Sequence, residues 1–190
     1  MTPVGILLAA GRGRRFDPLG TRNKLLQPLA GGQAVVVASA RNLLAVLPRV
    51  VAVVRADDEV AFTLRAVGCE VTVCAGADDG MAASLVHSVS HTAGASGWLV
   101  ALGDMPYVAP STIAALRDAL AGGARIAAPV LGGRRGNPVA FSAACLSALL
   151  ALEGDQGARA LLQSAELRTI EVADRGIFHD IDTPSDLPSS

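Results

Sequence analysis

The sequence predicts an α/β fold in which helices cover both faces of a mostly parallel, doubly wound sheet. Short β-branched runs alternate along the chain with longer segments rich in alanine and leucine. The short runs are apolar throughout, which is typical of parallel strands buried on both faces. The length of 190 residues suits one domain with a sizeable core.

The strands are predicted where valine, isoleucine and leucine are concentrated between turn residues. In chain order they are Val4–Ala9, Val50–Val54, Val71–Cys74, Trp98–Leu102, Arg125–Pro129, Pro138–Phe141 and Leu167–Val172. The segments between them are longer and richer in alanine and leucine, which favours helices. In chain order these helices are Ala34–Leu47, Asp58–Ala66, Met81–His91, Pro110–Ala121, Ala143–Leu152 and Gly157–Gln163.

One segment, residues 127–141, departs from this alternation. Two short strands there flank a turn rich in glycine and arginine, and no helix fits between them. Strands joined by so short a connection pair antiparallel. We therefore expect an antiparallel hairpin at the edge of the sheet.

Composition limits the class of protein. The formal net charge is −1, so no general attraction to nucleic acid or anionic membranes is expected. The longest apolar runs are far shorter than the ~20 residues that a membrane-spanning helix needs. The N-terminal apolar run is short and leads into Gly-Arg rather than a cleavage site. Three scattered cysteines indicate buried thiols in a reducing compartment, and we expect a cytoplasmic protein.

Lys24 is the only lysine of the chain, and every other basic side chain counted with it is an arginine. A compact, flexible ammonium meets a ligand differently from a planar guanidinium. Because Lys24 follows an apolar run that breaks into glycines, we infer that it contacts phosphate groups.

The turn after the first strand, AGRGRRF at residues 10–16, is rich in glycine and arginine. Glycines let the backbone approach an anion closely, and exposed N–H groups form an anion-binding nest. Phe16 stands where a dinucleotide fingerprint needs its third glycine, and Lys24 lies too far from the glycines for a Walker pattern. The arginines favour a polyphosphate site; a plain tight turn with surface arginines is the alternative.

The pattern LAAGxGxRF at residues 8–16, followed by NKLL at residues 23–26, resembles the signature of the nucleotidyltransferases. It is most similar to the MobA-like branch, the molybdenum cofactor cytidylyltransferases and guanylyltransferases. The resemblance covers nearly the whole chain. It implies one Rossmann-like nucleotidyltransferase domain over residues 1–190, with a nucleotide-binding half of about residues 1–108 and an acceptor-binding half of about residues 109–190.

Two acidic turns agree with this resemblance. The sequences LGDMP at residues 102–106 and DIDTPSD at residues 180–186 resemble family elements that place magnesium ligands at Asp104 and Asp182. Alternation on a short strand would direct Asp180 and Asp182 to the same side. The implied cofactor is Mg²⁺, with Mn²⁺ as a substitute. From the residues alone, Asp104 could instead cap its own turn.

The sequence GADDGMAAS at residues 76–84 is similar to the loop that receives the nucleotide in cytidylyl-type relatives. The resemblance implies nucleotide contacts for Gly80 and Ser84. We interpret Asp78 and Asp79 as solvated residues ahead of a helix.

On the acceptor side, GGRRGNP at residues 132–138 resembles a family motif, Gly-x-x-Gly-His-Pro. Asn137 stands where histidine is usual, and its amide cannot carry a proton, which leaves the acceptor's identity open. A second family-like loop contains Asp155, which could also be a helix N-cap. The implied acceptor-binding residues are Arg135, Gly136, Asn137 and Asp155.

The resemblance implies transfer of a nucleoside monophosphate from a nucleoside triphosphate to a phosphorylated acceptor of the pterin type, with release of pyrophosphate. The implied catalytic residues are Arg15, Lys24 and Asp104. CTP is favoured over GTP because the methyl group of Ala10 would narrow the base pocket. A molybdoenzyme or its chaperone would receive the product. The implied nucleotide contacts are Leu8, Ala9, Ala10, Gly11, Arg12, Gly13, Arg14, Gly80 and Ser84.

Other functions stay open. They are a GTP-using guanylyltransferase, a sugar-phosphate or methylerythritol-phosphate cytidylyltransferase, a cofactor carrier without catalysis, and a nicotinamide-dependent oxidoreductase acting on a small heteroaromatic compound. The carrier is disfavoured because it would need no metal, and the oxidoreductase because the dinucleotide fingerprint is incomplete. His87 and His91, four residues apart, are interpreted as a solvated pair rather than a metal site.

Overall fold

The structure is a computed structural model that describes residues 2–154, 158, 161–164 and 166–187. Within these residues eight strands form one sheet. The strands are β1 (Val4–Leu8), β2 (Val50–Val54), β3 (Glu70–Val73), β4 (Gly97–Leu102), β5 (Ile126–Leu131), β6 (Arg134–Arg135), β7 (Val139–Ser142) and β8 (Leu167–Glu171). The α-helices are α1 (Val35–Leu44), α2 (Glu59–Ala66), α3 (Met81–His91), α4 (Pro110–Ala121) and α5 (Leu146–Leu150).

The sheet has β1 near its centre. The strand order is β3–β2–β1–β4–β7–β5, with β8 on the outer side of β5 and the short β6 paired antiparallel with β5. Ile6 of β1 lies in parallel register with Val51 of β2 and with Val100 of β4. The predicted α/β class with a mostly parallel sheet is therefore confirmed.

The predicted antiparallel hairpin is confirmed, but it lies one strand inside the edge. Strand β7 pairs antiparallel with both β4 and β5, and β8 pairs in parallel with β5. Residues Val139–Phe141 are buried, whereas β8 is mostly exposed. A mostly exposed strand can leave one edge open to water, so β8 rather than the hairpin forms this edge.

Side chains of β1 point alternately to two hydrophobic cores. Leu7 belongs to a core that also contains residues of α1, α2 and α4, whereas Ile6 belongs to a core with residues of α3 and α5. Both side chains are fully buried, and burial of each contributes about 1.5–3 kcal/mol. The helices thus cover both faces of the sheet, as the continuous apolar strands predict.

Several predicted boundaries differ from the structure. The helix predicted over Ala143–Leu152 is a 3-10 turn, Ala143–Cys145, followed by α5. Of the helix predicted over Gly157–Gln163, the described part contains a 3-10 turn at Leu161–Gln163. The segment 180–182, expected to be a short strand, has no strand assignment. Instead, the Ile181 N–H donates a hydrogen bond to the carbonyl of Asp104, which lies in a loop and not in a neighbouring strand.

Residues 174–182, here named the arch, lead from β8 to the end of β4. The Asp174 carboxylate accepts a hydrogen bond from the Ala109 N–H at 2.8 Å. The Ile177 carbonyl accepts one at 3.0 Å from the N–H of Asn137, which lies between β6 and β7, and the Ile181 N–H donates to the Asp104 carbonyl at 2.8 Å. The arch is therefore fixed at both ends and in its middle.

Two glycines allow the arch to pack closely against its neighbours. A Cβ atom on Gly176 would overlap the backbone of Tyr107, and one on Gly136 would overlap Ile177. Backbone atoms cannot move aside as a flexible side chain can, so these two contacts require glycine.

The three cysteines are free thiols and all are buried, as expected. Burial raises the pKa of Cys69 to about 11, so this thiol stays protonated and unreactive at neutral pH. Among the described residues, no helix has both the length and the apolar character needed to span a bilayer.

Candidate active site

A cleft opens at the carboxyl ends of β1, β2 and β4, where parallel sheets of this kind bind ligands. It encloses about 630 Å³, which is within the usual range for a small-molecule site. The predicted residues that line it are Leu8, Ala9, Ala10, Gly11, Arg12, Gly13, Arg14, Arg15, Lys24, Gly80, Ser84, Asp104 and Asp182. Four distant parts of the sequence, residues 8–24, 80–84, 104 and 182, therefore meet in one cleft.

Lys24 lies at the centre of the cleft floor. Its Nζ is 2.6 Å from Oδ2 of Asp104 and 3.1 Å from Oδ1 of Asp182. Burial opposes the charge on Lys24, but the two carboxylates outweigh this effect and raise its pKa above the ordinary value. The ammonium is thus charged at neutral pH and joins the two predicted metal ligands.

The local sequence sets the direction of Lys24. Asn23 caps the 3-10 turn Lys24–Leu26 by accepting a hydrogen bond from the Leu25 N–H at 3.0 Å. The stem of Lys24 packs against Gly13 of the first turn. The ammonium therefore reaches the carboxylates from beneath the glycine-rich turn.

Asp104 stands on a turn, residues 103–106, that is held by uncharged hydrogen bonds. The Ser39 hydroxyl of α1 donates to the Gly103 carbonyl at 3.0 Å, and the Asn42 amide donates to the Pro106 carbonyl at 2.9 Å. Oδ1 of Asp104 is buried and has no hydrogen-bond partner within the described part of the chain. A buried carboxylate oxygen without a donor is suited to a cation.

Asp182 lies where the arch ends. Its Oδ2 is 2.7 Å from Nη1 of Arg15. Burial works against the charge of Asp182, but its neighbours, Lys24 above all, together outweigh burial and lower its pKa. Burial and the neighbouring Asp182 raise the pKa of Asp180. Asp186 caps the following turn by accepting hydrogen bonds from the N–H groups of Asp182 and Thr183.

The first turn is held by an ion-pair network that the sequence did not reveal. Asp78 pairs with both Arg12 and Arg55, and Nη2 of Arg55 donates to the Ala10 carbonyl at 2.7 Å. The interpretation of Asp78 as a merely solvated residue is therefore wrong. The two guanidinium groups hold its pKa well below the usual range, Arg12 having the larger effect.

Arg55 is the residue of this cleft that sequence reasoning missed. It directly follows β2, and β2 is the parallel neighbour of β1. The strand order is the signal that would have identified it, because the residue after β2 must lie beside the first turn.

The loop that follows the first turn is organised by Asp17. Its carboxylate accepts hydrogen bonds from the Thr21 hydroxyl at 2.7 Å, the Arg22 N–H at 2.8 Å and the Leu19 N–H at 3.0 Å. These bonds, that from Thr21 above all, lower the pKa of Asp17 from 3.8 to about 2. The ionised carboxylate of Asp17 therefore holds the loop between the arginines and Lys24 in its conformation.

Gly80 and Ser84 lie on the side of the cleft formed by α3. Gly80 immediately precedes the helix, and Ser84 is buried in its first turns. The two histidines further along this helix have separate partners, Thr72 for His87 and Glu70 for His91. The two histidines therefore face different partners rather than one ligand. The expectation that both are solvated is wrong for His87, which is half-buried against Thr72.

Three of the predicted acceptor residues, Arg135, Gly136 and Asn137, do not line the cleft. Nη1 of Arg135 donates to the Leu162 carbonyl at 2.7 Å, and the backbone N–H of Asn137 donates to the Ile177 carbonyl. The Asn137 side chain lines a small buried cavity beneath the Asp104 turn. Asp155 lies outside the described residues. The role of this set in acceptor binding stays a prediction.

Comparisons with known proteins agree with this geometry. The family model of the MobA-like NTP transferase domain matches residues 5–170. The purine catabolism protein PucB of Bacillus subtilis is 31% identical over 199 residues, covering 96% of this chain and 93% of the relative.

Two solved structures are similar along almost the whole chain. Rv0371c of Mycobacterium tuberculosis in complex with manganese is 26% identical, with a TM-score of 0.75 and coverage of 98% of this chain and 96% of that one. A nucleotidyl transferase from Methanothermobacter is 28% identical, with a TM-score of 0.80 and coverage of 97% and 94%.

Proposed function

Because this chain belongs to the MobA-like NTP transferase family, we propose that it transfers CMP from CTP to a phosphorylated acceptor, molybdopterin or the molybdenum cofactor. The observation that carries this proposal is the meeting of Lys24, Asp104 and Asp182 in one cleft beside a glycine- and arginine-rich turn. A buried ammonium between two carboxylates is the arrangement expected where phosphates and a divalent cation bind together.

In the proposed reaction, a phosphate oxygen of the acceptor attacks the α-phosphorus of CTP. A new P–O bond forms, the bond to the oxygen that bridges the α- and β-phosphates breaks, and pyrophosphate leaves with that electron pair. The attacking oxygen is already anionic at neutral pH, so this chemistry requires no general base. The asparagine at position 137 is compatible with it.

The first turn would hold the leaving group. Backbone N–H groups of residues 10–14 and the Arg15 guanidinium would contact the β- and γ-phosphates. Arg12 and Arg55 would exchange part of their pairing with Asp78 for phosphate oxygens. Lys24 would stabilise the charge that grows on the α-phosphoryl oxygens.

The acidic residues fit a hard divalent cation. Asp104 offers a buried oxygen without a donor, and Asp182 faces the same ammonium. No group of three metal-binding acidic, histidine or cysteine side chains occurs within the described residues. Two carboxylates with phosphate oxygens and water suit Mg²⁺, or Mn²⁺ as in the similar Rv0371c complex. Bound there, the ion would neutralise phosphate charge and orient the α-phosphoryl group.

The choice of CTP rests on Ala10. This residue is buried and lines the cleft, and a methyl group there leaves less room for a base than glycine would. The smaller pyrimidine ring is therefore favoured over guanine.

The test is pyrophosphate release with Mg²⁺, molybdopterin cofactor and each of CTP, GTP, ATP and UTP. Wild type is compared with Asp104→Ala and with Asp118→Ala, which removes an exposed aspartate of α4. Release that needs CTP and is lost only in Asp104→Ala supports the proposal. Release with GTP instead overturns the argument from Ala10, and no release with any nucleotide overturns the choice of acceptor.

A further inference from the structure

We propose that the acceptor binds in a second, open pocket beyond Asp180, and that it is a flat heteroaromatic molecule carrying an anionic group. This inference rests on the proposed function and assigns it a site. The residues lining the pocket are Leu131, Arg175, Phe178, His179, Asp180 and Asp186.

The direction of attack points to this pocket. In an in-line displacement the nucleophile approaches the phosphorus opposite the leaving group. Pyrophosphate would leave toward the first turn, so the acceptor must arrive from the side of the cleft formed by the arch. Asp180 lines both the nucleotide cleft and the second pocket, so the two spaces adjoin at this residue.

The hairpin residues are less suited to receive the acceptor directly. Arg135 is bonded to the Leu162 carbonyl, and Gly136 packs against Ile177 behind the arch. The hairpin instead supports the arch and contributes one exposed side chain, Arg134.

Flat side chains on and beside the arch indicate a planar ligand. The Arg134 guanidinium lies over the Phe178 ring, 4.3 Å from its centroid. The rings of Tyr107 and His179 are 4.7 Å apart between centroids. An exposed guanidinium held on an aromatic ring, and an exposed imidazole beside a phenol, can both stack on a heterocycle.

One cation of the pocket is available to an anionic group. Arg175 is exposed and forms no ion pair with any residue that the structure describes. Of the two carboxylates, Asp186 already accepts hydrogen bonds from the N–H groups of Asp182 and Thr183. Asp180 also lines the nucleotide cleft. Arg175 is thus the cation of the pocket that can meet an anionic group of the ligand.

The probe for this pocket is neopterin monophosphate, a fluorescent planar heterocycle with a phosphate group. Its Kd is measured by fluorescence anisotropy for wild type, Arg175→Ala and Phe178→Leu. The matched controls are Arg168→Ala, an exposed arginine of β8, and Phe62→Leu, an exposed phenylalanine of α2. The Kd of CTP is measured for every variant.

We expect Arg175→Ala and Phe178→Leu each to weaken neopterin monophosphate binding about tenfold, with the Kd of CTP unchanged. The two controls should bind both molecules as wild type does. Unphosphorylated neopterin should bind more weakly to wild type and lose little further in Arg175→Ala.

Two results would overturn the inference alone. One is equal binding of the probe by wild type and both pocket variants, and the other is no probe binding by a wild type that binds CTP. Absence of CTP binding by wild type would overturn the proposed function, and the inference with it.

Discussion

The two turns that face each other across the cleft are held in opposite ways. The turn after β1 is fixed by ion pairs, in which Asp78 joins Arg12 and Arg55 and Asp182 joins Arg15. The turn after β4 is fixed by uncharged hydrogen bonds from Ser39 and Asn42 of α1 to its carbonyl groups. The ion pair of Lys24 with Asp104 links the two sides.

This difference in contacts implies that the two turns differ in how readily they change conformation when a nucleotide binds. An arginine can exchange its carboxylate partner for phosphate oxygens at little cost, because carboxylate and phosphate are both anionic and accept hydrogen bonds from the guanidinium in the same bidentate geometry. Hydrogen bonds to backbone carbonyls are untouched by substrate and hardly screened by salt. The phosphate-facing turn can therefore adapt when a nucleotide binds, while the turn that carries Asp104 stays in place.

The largest effect should come from the fixed turn itself. Asp104→Asn removes the carboxylate charge but keeps its size, and we expect pyrophosphate release to fall about 1000-fold. The amide oxygen can still accept a hydrogen bond from the Lys24 ammonium, but the charge of that ion pair is lost. The thermal midpoint should therefore fall, and activity is compared well below it. Asp118→Asn is the control, and activity retained in Asp104→Asn would remove this residue from the metal site.

The second-largest effect should come from Lys24, which links the two turns. Lys24→Arg preserves charge, but a planar fork cannot occupy a buried position fitted to an ammonium between two carboxylates. We expect kcat to fall about 100-fold. Arg168→Lys tests whether exchange of the two basic residues is harmless elsewhere. Full activity of Lys24→Arg would mean that any cation suffices at this position.

The support behind the fixed turn should have a smaller effect. Asn42→Ala removes one hydrogen bond and should lower the free energy of unfolding by about 1 kcal/mol. The Mg²⁺ concentration for half-maximal activity should rise about tenfold, equally at low and high salt. Arg41→Ala changes an exposed residue of the same helix. A salt-dependent effect of Asn42→Ala would contradict the assignment of this turn to uncharged contacts.

The adaptable turn should respond in the opposite direction. Asp78→Asn removes a carboxylate that competes with phosphate for Arg12 and Arg55, so the KM for CTP should fall about threefold at low salt. The difference from wild type should disappear at high salt, and Asp79→Asn should behave as wild type. A higher KM in Asp78→Asn would show that the carboxylate positions the arginines rather than competing for them.

The smallest effect concerns the loop behind the adaptable turn. The pKa of Asp17 is lowered from 3.8 to about 2, so its carboxylate stabilises the folded chain above pH ~4 and this contribution is lost as pH falls toward 2. The thermal midpoints of wild type and Asp17→Asn should differ at pH 5 and converge on acidification. A difference that persists at pH 2 would assign the effect to packing.

The parts of the fold that the sequence predicted correctly are those with a strong local signal. The continuous apolar runs of β1, β2 and β4 cannot be satisfied except in a sheet covered on both faces, and α3 and α4 have the predicted bounds. The position of β8 was not predictable in the same way. Its edge location follows from which neighbour pairs with β5, and pairing is a long-range property.

In the candidate site, too, the residues that the sequence predicted are those with a local signal. Lys24 and Asp104 belong to short sequence patterns, so they could be proposed before their contacts were known. Arg55 belongs to no such pattern, because its role depends on two contacts made only after β2 lies beside β1. Asp78 was misinterpreted for the same reason, since a single acidic residue before a helix is usually solvated.

The close contacts of Gly136 and Gly176 bear on how the acceptor preference of such a protein could diverge. They lock the backbone path of the arch from its inner side. Phe178 and His179 on the outer side contact only side chains, Arg134 and Tyr107, in the contacts described above, and Arg175 is exposed. Exchange of these outer side chains would present a new chemical surface to the second pocket without displacing Asp182. A larger residue at position 176 would push the whole arch away from Tyr107. The acceptor preference can therefore be changed by substitutions on the outer face of the arch, whereas the glycines on its inner face have to be kept.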